Sequence, residues 1–347
     1  MLKVSCVNPP HLQTAVPART KRAVVVCMRN EAVFLLEWVA YHLNIGFDRI
    51  FIVTNNCQDG TDLMADRLAE LEPVIHIRNE VSPDEAPQVV GLARALAHPA
   101  MAEMEWLLHI DADEFLNITT GAGMVGDLLQ AVGPCDTVAI AWRFMASGGR
   151  QLWQGGSLLA EQTQCSAQIE EQLVFHKSLF RPDRYARVID HMPKDPFDPD
   201  VIVRNAAGRK IPNRGQSHLT AANYRGIKDE DLTWVNADIH HYFVRSEDVF
   251  LLKNIRGDGM AKKHANHVLG SKMWTIAERA TGEDRSIQRH LPSVTARLAA
   301  YDADAALHDL QKTALVWLEQ QRATHLTPEN RKLWDQRRKR PKKVKTP

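Results

Sequence analysis

Hydrophobic positions change period repeatedly along the first third of the chain. Residues 23–28, centred on Val24, Val25 and Val26, form a continuous β-branched run, the pattern of a strand buried on both faces. Phe34, Leu35, Trp38, Val39 and His42-Leu43 then recur at helical spacing and predict an amphipathic helix over about 31–44, stopped by Gly46. Residues 50–53 read as a second buried strand. Asn55, Asn56, Asp59 and Gly60 are turn formers, and Asp59 or Thr61 can cap a helix running to about residue 71. Pro73 ends that helix, and 74–77 give a third strand. Pro83 and Pro87 bracket a loop, a helix over about 88–104 follows, and 106–110 form a fourth strand.

Strands alternating with helices imply a largely parallel, Rossmann-like sheet covered on both faces. Ligands of such sheets bind beyond the carboxyl ends of the strands. Three polar clusters fall at such ends: Arg29-Asn30-Glu31, then Asn55-Asn56 with Asp59, then Asp111 with Asp113 and Glu114. After Gly133-Pro134 the alternation weakens. Residues 137–144 predict a further strand. Segments 173–181 and 188–191 read as extended and pairing across Pro182-Asp183, with a loop over 192–200. Helices are expected over 246–256, 266–279 and 293–322.

Composition narrows this picture only slightly. The chain has 347 residues, 44% hydrophobic and 24% charged, with a formal net charge of +1. That is ordinary globular composition, and no global field draws it to nucleic acid. Five scattered cysteines contain no CxxC pair and fit a reducing compartment. No signal-peptide pattern and no run of about 20 apolar residues is apparent. A cytoplasmic protein is expected, with any contact at the inner membrane face peripheral. The basic stretch 330–347 is too charged to pack and is expected to be disordered. It reads either as an inert tail or as a contact for an anionic bilayer.

The acidic cluster carries the chemistry. Two carboxylates one residue apart at a strand mouth repel each other unless a cation intervenes. A hard divalent ion such as Mn2+ or Mg2+ resolves that repulsion and can neutralise a departing diphosphate.

Residues 24–116 resemble a family 2-type glycosyltransferase domain, and more closely the branch that includes the family 92 enzymes. The resemblance rests on Met28-Arg29-Asn30-Glu31, Glu37-Trp38 and His42, Gly46-Phe47-Asp48, Asn56-Cys57-Gln58-Asp59-Gly60-Thr61, and the run from Trp106 through His109-Ile110-Asp111-Ala112-Asp113-Glu114 to Leu116. A second block, from Ile239-His240-His241-Tyr242 through Arg245-Ser246 to Lys253 and Arg256-Gly257, resembles that branch's C-terminal signature.

The resemblance implies a GT-A fold over 23–258, with a nucleotide-sugar half (23–133) and an acceptor half (134–258). An irregular lead (1–22), a helical extension (259–329) and the basic tail flank it. It implies a nucleotide-sugar donor, a UDP-sugar foremost, a divalent metal and a glycan or lipid-linked acceptor. Arg29, Asn30, Glu31, Asn56, Asp59, Asp111 and Lys253 would bind the nucleotide-sugar. Asp111, Asp113 and His241 would hold the metal. Inversion requires a carboxylate base. Glu170, Glu171, Asp190 and Asp195 are the candidates, with Asp190 and Glu171 carried forward. Lys177 and His191 fall where the branch places a basic residue and a histidine. Arg256 and Lys262-Lys263 join Lys253 as cations for the leaving group. Two other readings remain: a non-catalytic binding module with the same fold, and a nucleotidyltransferase, for which a glycine-rich loop after the first strand is missing.

Overall fold

In a computed structural model of the protein, residues 21–82, 84–172, 175–213, 227–256 and 267–338 are described. The first strand–helix alternation forms where the hydrophobic period changes. It consists of β1 (Lys21–Met28), α1 (Ala32–Asn44), β2 (Arg49–Thr54), α2 (Thr61–Leu71), β3 (Val74–Arg78), α3 (Pro87–Ala97) and β4 (Met104–His109). The helix expected to reach residue 104 stops at Ala97. His98 is extended (ψ 135°) because Pro99 crowds it out of the helical region, and Pro99–Glu103 form a separate 3-10 turn.

The chain continues with β5 (Glu114–Ile118), α4 (Val125–Val132), β6 (Thr137–Phe144), α5 (Leu158–Glu161), β7 (Gln164–Cys165) and β8 (His176–Phe180). Then come β9 (Tyr185–Val188), β10 (Pro193–Pro196), β11 (Val203–Asn205), β12 (Lys210–Ile211), β13 (Ala237–His241) and α6 (Glu247–Arg256). The last elements are α7 (Lys272–Ala277), β14 (Gly282–Glu283), α8 (Leu291–Ala303), α9 (Ala305–His325) and α10 (Pro328–Arg338).

The central sheet runs β12-β11-β6-β8-β4-β1-β2-β3, with β13 pairing both β5 and β6. β4, β1, β2 and β3 are mutually parallel, and β8 lies antiparallel between β4 and β6. The architecture is therefore mixed α/β, with a mostly parallel sheet flanked by helices, as the alternation predicts. The continuous apolar run of β1 has its physical reason here. Val24 and Val26 face Leu35, Trp38 and Val39 of α1, while Ala23 and Val25 face Leu92 and Ala95 of α3.

Four expectations need correction. β8 does not pair with the segment after it; β9 pairs antiparallel with β10, and β10 lies inside the expected 192–200 loop. The single helix expected over 293–322 is two, broken at Asp304, whose carboxylate caps α9 by accepting from Leu307 N at 3.0 Å. The C-terminal helices pack into the main core. Tyr301, Leu307, Ala314 and Leu318 are buried in the same core as Trp38, and the Tyr301 hydroxyl donates to Glu72 at 2.9 Å. Residues 330–338, expected to be disordered, belong to α10, where Trp334 is buried and gives the charged segment an apolar anchor. Most of the irregular lead, Lys262-Lys263 and the tail from Lys339 lie outside the described residues. No helix among the described residues is long and apolar enough to cross a membrane.

Candidate functional site

The carboxyl ends of β1, β2 and β4 open on one cavity of about 340 Å³. Arg29 and Glu31 reach it from β1, Asn55 from β2, and Asp111 to Asp113 from β4. The turn after β4 is held by its own acid. Glu114 accepts from Asp111 N at 2.7 Å through its carboxylate, and its backbone N–H donates to Asp111 O at 3.1 Å. The following strand is pinned from α1, where Trp38 donates to Glu114 O at 2.9 Å and Tyr41 to Leu116 O at 2.7 Å. β13 then runs antiparallel to β5 with His241 opposite Glu114, and Tyr242 N donates to Asp113 O at 2.8 Å. That register carries His241 to the acidic turn from 130 residues downstream.

Two lysines divide the acidic residues between them. Lys177, fully buried on β8, donates to Asp111 Oδ2 and to Asp190 O, both at 2.9 Å, and lies 3.3 Å from Glu114 and 3.4 Å from Asp190 Oδ1. Lys253 of α6 donates to Asp113 Oδ2 at 2.7 Å and to Phe243 O at 2.9 Å. Gln88, in the first turn of α3, reaches Asp111 at 3.2 Å and Asp190 at 3.4 Å. Glu31 pairs with Arg245 at 2.6 Å and with Arg256. Arg245 is itself buried, donating to Ala112 O at 2.8 Å and lying 3.8 Å over the Phe34 ring.

These pairings set the charge states. Burial pushes the Asp113 carboxyl up, but Lys253 and then His241 outweigh it and hold it well below the usual carboxylate range. Asp190 behaves likewise: burial opposes, and Lys177 with His191 brings it well below. Glu114 goes the other way, because burial, with Asp111 and Asp113 nearby, exceeds the help from Lys177 and raises its carboxyl well above the usual range. Burial lowers His241 below an ordinary histidine against the pull of Asp113, so its imidazole is neutral at pH 7.

The sequence-predicted residues divide into those the cavity gathers and those it does not. Arg29, Glu31, Asp111, Asp113, Asp190, His241 and Lys253 line it together. Asn30 and Asp59 line an adjoining apolar recess against α6 and α9. Asn30 sits at φ 56° and accepts from Gln58 N. Both Asp59 oxygens are used, accepting from Ala32 N and from Thr61, so the residue knits α1 to α2. Asn56 is exposed at φ 46°, a left-handed turn residue, and Asn55 lines the cavity instead. Glu171 is not in the cavity. It closes a 3-10 turn, accepting from Ala167 N at 3.0 Å and from Thr281. Asp195 lies on the β9–β10 hairpin, paired with Arg187.

Gln88 and Trp142 were missed as cavity residues. A signal existed for Gln88: the helix after a parallel strand begins at the ligand edge of the sheet, so first-turn polar residues face the site.

The expected metal set fits a resident divalent cation poorly. Asp113 and His241 do face each other, at 3.5 Å, but Lys253 already lies on the other Asp113 oxygen. Asp111 turns instead to Lys177 and Gln88. A divalent ion about 4 Å from an ammonium meets repulsion on the order of 8 kcal/mol at an effective dielectric of about 20. One group of metal-ligating type is gathered among the described residues. Asp238, His240 and Asp284 bring ligand atoms within 4.8 Å of one another. Arg143 stands there as an internal cation, 2.5 Å from Asp238 and 3.4 Å from Asp284.

Lys177 is the keystone of the acidic cluster. Lys177→Met is expected to destabilise the protein by about 1–3 kcal/mol, since the half-buried Asp111 and Asp190 would lose their shared cation. The urea midpoint at pH 7 checks this; an unchanged midpoint would contradict the pairing.

No family model matches the chain. Stretches of it are similar to plant proteins named as glycosyltransferase family 92 proteins. One from Ricinus communis is 36% identical over 101 residues, covering 29% of this chain and 18% of the relative. One from Oryza sativa subsp. japonica is 30% identical over 173 residues, covering 48% of this chain and 28% of the relative. One from Arabidopsis thaliana is 31% identical over 102 residues, covering 29% and 17%. The matched stretches thus span less than a third of these relatives' own length. Among solved structures, S. aureus TarS 1–349 in complex with UDP aligns with 15% identity and a TM-score of 0.31 over 47% of each chain. In sequence, the chain is similar to glycosyltransferases of family 92.

Proposed function

We propose that the protein is a glycosyltransferase of GT-A type that moves a sugar from a nucleoside-diphosphate sugar, a UDP-sugar foremost, to a glycan or glycolipid acceptor with inversion. The observation that carries this reading is the single cavity at the strand ends, where Asp111, Asp113 and Asp190 meet Arg29, Lys253 and Arg256. Cations and backbone at the ends of parallel strands suit a diphosphate. The similarity to family 92 proteins agrees with it.

In the reaction the acceptor hydroxyl oxygen bonds to the anomeric carbon while the carbon–oxygen bond to the diphosphate breaks. The electron pair leaves with the nucleoside diphosphate, and the hydroxyl proton passes to a carboxylate. Asp190 is that base. It is ionised, lines the cavity, and is oriented by Lys177, Gln88 and His191. Asp111, beside Asp190 on the shared Lys177 and Gln88, faces the ribose and sugar. Arg29, Lys253 and Arg256 receive the charge developing on the diphosphate.

The test is release of nucleoside diphosphate from a panel of UDP-, GDP- and dTDP-sugars, with mixed glycan and lipid acceptors. Release from at least one donor, stimulated by acceptor, is expected. Nucleotide binding without release from any donor would favour a non-catalytic binding module.

A further inference from the structure

Each carboxylate at the cavity already has a cation built into the fold. Asp113 has Lys253, Asp111 and Asp190 share Lys177, and Glu31 has Arg245 and Arg256. Two neighbouring carboxylates recruit a divalent ion when they face each other uncompensated; here each has turned to a separate lysine. The Lys253 ammonium has three hydrogens, and Asp113 and the Phe243 carbonyl take two. Arg29 lines the same cavity, makes no ion pair among the described residues, and its buried Nε has no hydrogen-bond partner. Guanidinium forks match phosphate oxygens well.

We infer that Lys253, with Arg29 and Arg256, supplies the positive charge for the donor's diphosphate in place of a divalent cation, and that Asp113 and His241 position Lys253 instead of ligating a metal. The inference rests on the donor reading proposed above. As the glycosidic bond breaks, the electron pair on the departing phosphate oxygen is met by the third Lys253 N–H. The ammonium keeps its proton throughout. The acidic pair then has a different task from the one its spacing suggests: Asp113 fixes a lysine, and Asp111 fixes the pocket floor through Lys177.

Calorimetric titration of the full chain with UDP and with GDP, in EDTA and separately in Mn2+, tests this. Affinity for the preferred nucleotide is expected to agree within about twofold between the two buffers. Spin-resonance titration with Mn2+ alone should detect no bound ion at the acidic turn, read as no difference between wild type and Asp113→Asn. Lys253→Met strands a buried carboxylate, so the paired variant Lys253→Met with Asp113→Asn keeps the charge balance. It should weaken nucleotide binding roughly tenfold or more, the loss of one charge-assisted hydrogen bond. Binding confined to the Mn2+ buffer, or wild-type affinity in the paired variant, would overturn the inference and leave the donor reading standing. No nucleotide binding in either buffer would overturn the donor reading and the inference with it.

Discussion

Three buried neutral histidines are expected to remove about 6 kcal/mol of folding stability as the pH falls from about 7 to 5, an order-of-magnitude sum that Glu114 and Glu37, whose carboxyls burial raises, offset in part. His42, His109 and His176 are essentially inaccessible to solvent. Burial lowers His42 to about 3, against a Trp38 carbonyl that raises it. It lowers His176 to about 3, with His191 and Lys177 adding to the effect. It lowers His109 to about 4, with Lys177 adding to it. His42 Nε2 and His176 Nε2 are buried without a hydrogen-bond partner, so a proton entering there has none, and His109 Nε2 faces the Gln88 amide donor at 3.4 Å, where a second proton would meet another N–H. A histidine whose folded value is depressed stabilises fully above its unfolded value of about 6.5. That stability is lost as pH falls toward the folded value. At pH 5 each ring forfeits about 2 kcal/mol. Typical domains have only about 5–15 kcal/mol in total. Asp113 and Asp190, held low, act in the same direction further down, losing their contribution as pH falls below about 4. Urea midpoints at pH 7.5, 6.5 and 5 read this directly. A flat midpoint across that range would contradict the neutral, buried state of these rings.

Asp190→Asn is expected to lower kcat by about 10²- to 10⁴-fold with little change in KM, the range for removing a general base. The substitution keeps size and hydrogen-bonding shape while removing the proton acceptor. Lys177 retains Asp111, so the cluster should still fold. Glu171→Gln is the matched control. Its carboxylate serves a surface turn, and turnover should stay within about twofold of wild type. Equal losses in both variants would mean that the base has been misplaced.

The half of the site built from short-range pattern was legible in the sequence. β1, β2 and β4 are continuous apolar runs, and parallel topology alone brings Arg29, Glu31 and Asp111 to one edge. The His241 partnership was legible only through resemblance, because it depends on β13 pairing with β5 in one register across more than 100 residues. Lys177 and Lys253 carry the main revision. A lone lysine in a buried strand and another on a helix give no spacing signal, yet they decide how the acidic pair is used. Asn56 and Glu171 lie outside the cavity for a related reason. Asn and Glu at turns serve the backbone as readily as a ligand, and only the placement of their side chains separates the two uses. The break at Asp304 was present in the sequence as a capping residue, but the helical period ran through it. The Trp334 anchor was hidden by the charge surrounding it.

The most direct test of the account is a crystal structure of the full chain soaked with a donor that turns over, or with its nucleoside diphosphate. The diphosphate is expected in the cavity between Arg29, Lys253 and Arg256, with the anomeric carbon facing Asp190. A nucleotide seated elsewhere, or one whose phosphates avoid all three cations, would contradict the assignment of this cavity as the donor site.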